Sequence, residues 1–178
     1  KESGSRVNEA TMESSIEEIV VKLNTIEQWR ITPAQLFTIE RANDPEYSVS
    51  DGLIPLRFSN RVIEGLLAQE LTAIGTLGVN SLEIEVRLAA GATSPTLEAY
   101  AEVDDMSEAP GIIRKLQNKP YTISSTGDFK EVIMRRGVTY NALHFFETSN
   151  GDVDNIRFQY EGKTLVDHEP DVLNELIK

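Results

Sequence analysis

The strongest constraint on the fold is a strict alternation of apolar and polar residues in two segments, 81–90 and 96–103. In the first segment, every second residue from Leu82 to Leu88 is apolar and the residues between them are charged. Successive side chains of a strand point to opposite faces, so this period predicts strands with one buried and one solvated face. Gly91–Pro95 joins the two segments, and we predict that they form an antiparallel hairpin.

A second hairpin is predicted further along the chain, from Val138–Thr148 and Asp152–Glu161. Asn150-Gly151 lies between these segments, and this dipeptide is the strongest short-range signal for a two-residue hairpin turn. Segments 53–58, 121–125 and 165–166 are shorter strand candidates. Residues 33–42 follow Thr32-Pro33, a pair typical of a helix start, but the segment fits either a helix or a strand.

Helices are predicted at 15–29, 60–74, 108–117, 128–136 and from Pro170 onwards. The segment 15–29 carries the most signals, because Ser15 and Glu18 have the spacing of a capping box. Its apolar residues recur at helical spacing and would form one stripe, packed on the domain's own core or on a partner. They are Ile16, Ile19, Val20, Leu23, Ile26 and Trp29.

These elements predict an α+β fold: an antiparallel sheet of about four to six strands with helices packed on one face. A helix–strand–strand order occurs at 60–103 and again at 128–161, which indicates either a repeated unit or a chance use of a common motif. We divide the chain into a polar linker or tail at 1–12 and a single domain at 13–178. The start at Lys1 is compatible with a processed chain, a membrane-tethered precursor or a cytoplasmic protein, so the localisation stays open.

The chain has few of the residues that carry nucleophilic, acid–base or metal chemistry, with no cysteine and two histidines. We therefore predict no catalytic residue, no metal ligand and no cofactor site. His144, with Tyr140 and Glu147 nearby in the sequence, is the candidate that an enzyme or a small-ligand pocket between helices and sheet would use.

The formal net charge of −12 disfavours direct binding to nucleic acid. One cluster runs against this background, and we predict that it contacts a partner or an anion: Arg114, Lys115, Lys119, Lys130, Arg135 and Arg136. The solvated face of the predicted first hairpin would be acidic, through Glu83, Glu85, Glu98 and Glu102.

The favoured hypothesis is a non-catalytic protein–protein interaction or assembly module, such as a soluble domain of a larger or membrane-associated complex. It would bind a protein partner or associate with itself. The alternatives are a small-ligand-binding domain or weakly marked enzyme, and an acidic inhibitor or immunity-type protein. No apolar run approaches the roughly 20 residues that cross a bilayer.

Overall fold

The computed structural model describes residues 6–59, 73–92, 95–103, 114–118, 133–134, 137–140, 142–146 and 153–169. The chain divides into two compact units, Lys1–Val132 and Ile133–Lys178. The described part of the first unit contains α1 (Glu9–Ser15), β1 (Ile16–Leu23), β2 (Ile26–Ile31), α2 (Pro33–Asn43) and β3 (Leu82–Leu88). That of the second contains β4 (Ile156–Tyr160) and β5 (Lys163–His168).

The predicted α+β class is confirmed, but the strands form two antiparallel sheets instead of one of four to six strands. The first unit has a three-stranded sheet in the order β2-β1-β3, and the second has the β4-β5 pair. In the first sheet, Ile19 of β1 lies opposite Ile31 of β2 and Val86 of β3. β1, the central strand, also contains the longest run of consecutive apolar residues among these three strands, Ile19-Val20-Val21.

The helix predicted at 15–29 is wrong, because this segment forms β1 and β2. Asn24 and Thr25 connect the strands with φ angles of 49° and 67°, which fits the two-residue type I′ hairpin turn. The Asn24 side chain holds this turn in place, since its Oδ1 accepts a hydrogen bond from Asn80 N at 2.7 Å. Ile19 and Val21 are buried on one face of β1, and Val20 is buried on the other face between Arg30 and Glu85, which is the alternation of a strand.

We expect Thr25→Gly to raise the free energy of unfolding of the first unit by about 1 kcal/mol, because a β-branched residue is strained at positive φ. Urea unfolding followed by Trp29 fluorescence measures this change. Thr38→Gly, in the exposed middle of α2, is the matched control and should destabilise the unit slightly. Destabilisation by Thr25→Gly would contradict the turn assignment.

Residues 33–43 form a helix, which settles the alternative that the sequence leaves open. Thr32 Oγ1 accepts a hydrogen bond from Gln35 N at 3.2 Å, and Gln35 Oε1 accepts one from Thr32 N at 3.1 Å. This reciprocal capping box satisfies two backbone donors at the helix start. The helix lies on one face of the sheet, as predicted, and the core cluster comprises Ile16, Ile19, Ile31, Leu36 and Ile39.

The first predicted strand of the alternating pair is confirmed as β3, but its predicted hairpin partner is wrong. β3 pairs with β1 over its whole length, and residues 95–103 belong to neither sheet. Leu97 and Tyr100 in that segment are 59% and 91% exposed. The strand predicted at 53–58 is also wrong: Ile54 and Leu56 pack against the core from an irregular segment.

The second predicted hairpin is wrong in its pairing, because β4 pairs with β5. Glu161 and Gly162, at φ angles of 49° and 76°, form the turn between them. Residues 138–140 and 142–146 contain no strand, and Asn150-Gly151 lies outside the described residues. The strand predicted at 165–166 is confirmed within β5, where Arg157 of β4 and Asp167 form a cross-strand ion pair of 2.9 Å.

The other predicted helices lie mostly outside the described residues, together with the strand at 121–125. Where those helices are described, at residues 73–74, 114–117 and 133–134, they are not helical. The repeated helix–strand–strand unit loses its basis, because neither predicted strand pair forms. The division into a tail at 1–12 and one domain at 13–178 stays a prediction, and α1 begins at Glu9 and buries Met12.

Candidate functional site

The two faces of the β2-β1-β3 sheet differ in chemistry. One face is apolar and packs under the helices, with Ile19, Val21 and Trp29 almost fully buried. Since side chains alternate along each strand, the opposite face collects the polar positions of all three strands. We call it the charged face, and its ionisable residues are Glu18, Lys22, Glu27, Arg30, Glu83, Glu85 and Arg87.

Ion pairs link all three strands across the charged face. Arg30 contacts Glu18 at 2.6 Å and Glu27 at 2.7 Å, while Arg87 contacts Glu18 at 2.8 Å. Lys22 pairs with Glu85. The hydrogen bonds that Arg30 donates to Glu27 and then to Glu18 raise its pKa, so this guanidinium stays charged. Isolated exposed pairs add little stability, but this network makes a strongly polar surface.

The charged face is nearly balanced in charge, unlike the acidic face that the sequence predicts. Glu83 and Glu85 do lie on it, as expected for β3. Glu98 and Glu102 do not, because residues 95–103 are outside both sheets, and their predicted placement on a sheet face is wrong. Whether the four glutamates contact a partner stays a prediction.

The outer edge of β2 is covered by residues 114–116, in parallel orientation. Leu116 N donates to Gln28 O at 3.1 Å, and Arg30 N donates to Leu116 O at 2.9 Å. Trp29 Nε1 donates to Arg114 O at 2.7 Å. The sequence predicts a helix at 108–117. The spacing of apolar residues in that segment gives no signal that it lies beside β2, a strand more than 80 positions earlier.

Two members of the predicted basic cluster, Arg114 and Lys115, therefore lie in an extended segment beside β2. The Arg114 side chain is half-buried and that of Lys115 is exposed. The other four, Lys119, Lys130, Arg135 and Arg136, lie outside the described residues. The cluster as a partner or anion contact stays a prediction.

The outer edge of β3 has no strand partner within the described ranges. Ser81 O accepts from Asn24 N and Ala89 N donates to Ser15 O, so odd-numbered backbone groups of β3 point towards β1. The backbone N–H and C=O groups of the even-numbered residues consequently point away from the sheet. These residues are Leu82, Ile84, Val86 and Leu88. We call these four residues the open edge.

β3 carries charged side chains on one face, Glu83, Glu85 and Arg87, but within the described residues its open edge lacks other usual protection against pairing with another chain. β3 contains no proline, glycine or lysine. On the apolar face, Leu82 and Ile84 remain 42% and 47% exposed. Sequence alternation locates this strand correctly, but it does not show which side of the strand pairs with β1.

The described residues offer little for chemistry. A shallow groove of about 530 Å³ is lined by Glu13, Glu17 and Thr32 among others, with no histidine. His144 is exposed in an irregular segment of the second unit, so its predicted position within a strand is wrong, and Glu147 lies outside the described residues. No group of three or more His, Asp and Glu side chains converges as a metal site in the described part of the chain.

Comparison with known proteins identifies the family. A family model described as the viral coat protein P2 N-terminal domain matches residues 6–104, more than half of the 178-residue chain. The chain belongs to this family. No curated protein and no solved structure matches it significantly.

The matched range of this coat-protein domain contains α1, α2 and the whole three-stranded sheet. Residues 114–116, which lie along the edge of β2, are beyond the matched range. Membership of a coat-protein family is compatible with the predicted non-catalytic assembly module. Within the described ranges, neither helix has the length and apolar character that crossing a membrane requires.

Proposed function

We propose that this chain is a structural, non-catalytic component of a viral coat that associates with copies of itself or with other coat proteins. The family match over residues 6–104 carries this proposal. Coat proteins work by presenting surfaces to one another, so their function requires no enclosed pocket or reactive side chain.

The geometry of the first unit supports a surface-based role. The charged face offers paired charges of both signs, which favour the orientation of a partner more than the affinity for it. The open edge offers backbone groups that have no partner among the described residues, and two exposed apolar side chains. Both features suit contacts between folded chains.

The charge of the chain supports contact with protein more than with a nucleic acid inside the particle. A net charge of −12 repels phosphate backbones at long range. The predicted basic cluster, from Arg114 to Arg136, would on this proposal meet acidic positions of neighbouring chains, such as Glu98 and Glu102. These contacts extend the proposal and are separate from its main claim.

Particle composition tests the proposal. Virus particles purified from the host that carries this gene are analysed by quantitative mass spectrometry, with acidic host proteins of similar mass as the control. We expect the chain among the abundant structural proteins, and enriched with the particles through successive gradients. A chain that is absent from particles, or enriched no more than the host proteins, contradicts the coat assignment.

A further inference from the structure

We propose that the open edge of β3 pairs with β3 of a second copy, antiparallel and around a two-fold axis at Val86. The two sheets would then join into one continuous sheet across the pair of molecules. This inference rests on the proposed coat function and deepens it, because it names a surface through which copies associate.

The backbone geometry of β3 permits this pairing without any change in the sheet. The four residues of the open edge point their N–H and C=O groups outwards, while the backbone groups of the residues between them form hydrogen bonds with β1. In an antiparallel pair, residues that exchange both hydrogen bonds lie directly opposite each other. Ile84 would thus lie opposite Leu88 of the second copy, and Val86 opposite itself.

The charges of β3 select this register among the symmetric ones. With Val86 on the axis, Glu85 lies opposite the second copy's Arg87, and this favourable pair occurs twice. An axis at Glu85 would also form two favourable pairs, between Glu83 and Arg87, but it would add a Glu85 side chain opposite another Glu85. An axis at Ile84 would place Glu83 opposite Glu85 twice. Like charges in directly opposite positions destabilise a sheet.

The same comparison disfavours the segment 97–103 of a second copy as the occupant of the edge. That segment alternates in the right period, but its charged positions are Glu98 and Glu102. It would add acids beside Glu83 and Glu85 of β3. Self-pairing of β3 instead extends the ion pairs that Lys22 makes with Glu85 and Arg87 with Glu18.

The first experiment blocks the edge without breaking the sheet. Ile84→Pro removes an outward-pointing N–H, which β1 does not use, and proline is tolerated at such edge positions. Sedimentation equilibrium of the full chain up to ~1 mM should show dimers for the wild type. The dissociation constant should rise about 100-fold for Ile84→Pro, from lost hydrogen bonds and steric obstruction.

Two further variants keep this test falsifiable. Leu97→Pro, in the exposed segment outside the sheets, is the matched control and should leave association unchanged. Ile84→Lys keeps the N–H but adds a charge at the edge, and it should also weaken association if Ile84→Pro proves unstable. A monomeric wild type, or association that both Ile84 variants leave unchanged, overturns the proposal.

The register is tested by cross-linking, since the chain has no cysteine of its own. Val86→Cys should form an intermolecular disulfide under mild oxidation, because opposite residues of a hydrogen-bonded pair have Cα atoms about 5.5 Å apart. Ile84→Cys is the control and should cross-link at least tenfold more slowly. Faster cross-linking of Leu97→Cys would instead identify 97–103 as the contact and overturn the edge pairing.

Failure of this inference is distinguishable from failure of the coat function. If the chain is abundant in particles but Ile84→Pro and Ile84→Lys assemble like the wild type, the edge pairing is wrong and the coat function stands. If the chain is absent from particles while the purified protein dimerises through Val86→Cys, the pairing stands and the coat function is wrong.

Discussion

Trp29→Ala is expected to lower the free energy of unfolding of the first unit by about 3–5 kcal/mol. Trp29 is 1% exposed, and its ring lies 5.0 Å from that of Phe58. Removal of the indole leaves a large cavity and also leaves the Arg114 carbonyl without its 2.7 Å hydrogen bond. Urea unfolding followed by circular dichroism measures the change, since Trp29 is the one tryptophan of the chain.

The matched control for Trp29→Ala is Ile26→Ala, on the same strand. Ile26 is 62% exposed, so its truncation should change the free energy of unfolding by less than about 0.5 kcal/mol. Trp29→Phe keeps most of the ring volume but loses the N–H, and an intermediate loss is expected. A Trp29→Ala variant that is as stable as Ile26→Ala would contradict the core position of the indole.

Arg57→Met is expected to cost about 3–5 kcal/mol, because it leaves the Glu40 carboxylate buried without its partner. Arg57 Nη1 lies 2.8 Å from Glu40 Oε2, and the Glu40 side chain is 7% exposed. The guanidinium also stacks over the Tyr47 ring at 5.1 Å, so the substitution removes a cation–π contact as well. Urea unfolding of the variant followed by Trp29 fluorescence measures the loss.

A second substitution separates the buried charge from lost packing. Glu40→Leu combined with Arg57→Met removes both charges and should recover most of the stability that Arg57→Met loses. Arg41→Met is the control, because its ion pair with Glu9 at 2.6 Å is exposed and should contribute less than about 1 kcal/mol. If the double variant is as unstable as Arg57→Met, the buried carboxylate is not the cause.

Local chemistry explains the helix start that the sequence signals at Thr32-Pro33 and the strand that it predicts correctly as β3. Thr32 and Pro33 start α2 through a capping box and a fixed φ, and neither depends on distant residues. The alternation from Leu82 to Leu88 matches β3 because its even-numbered residues lie on the apolar face of the sheet and its odd-numbered residues lie on the charged face. In both cases the signal lies within a few residues of the element that it predicts.

The segment 15–29 shows where local patterns fail. Its apolar residues occur at a spacing that fits one helix face, yet the run from Ile19 to Val21 equally fits a strand covered on both sides. Asn24-Thr25 decides between them by forming a tight turn, although threonine is an unusual residue at positive φ. The hydrogen bonds of Asn24 with Asn80 and Ser81 support that turn from a distant part of the chain.

The candidate site was predictable only in part for the same reason. Glu83 and Glu85 could be placed on a solvated strand face, but their ion-pairing environment depends on which strand lies beside β3. The sequence predicts Arg114 as a contact residue because of its charged side chain. In the structure, its backbone carbonyl makes the contact, by accepting the hydrogen bond of the Trp29 indole.

From the sequence we predict an acidic α+β protein with a strand at 82–88 and few residues suited to catalysis, while the segment after Thr32-Pro33 fits either a helix or a strand. The folded chain alone shows that β1 lies between β2 and β3, that residues 114–116 lie along one edge of that sheet, and that the other edge has no partner among the described residues. The reason is that hydrogen bonds between strands join residues far apart in the chain. No single segment records which partner lies beside it.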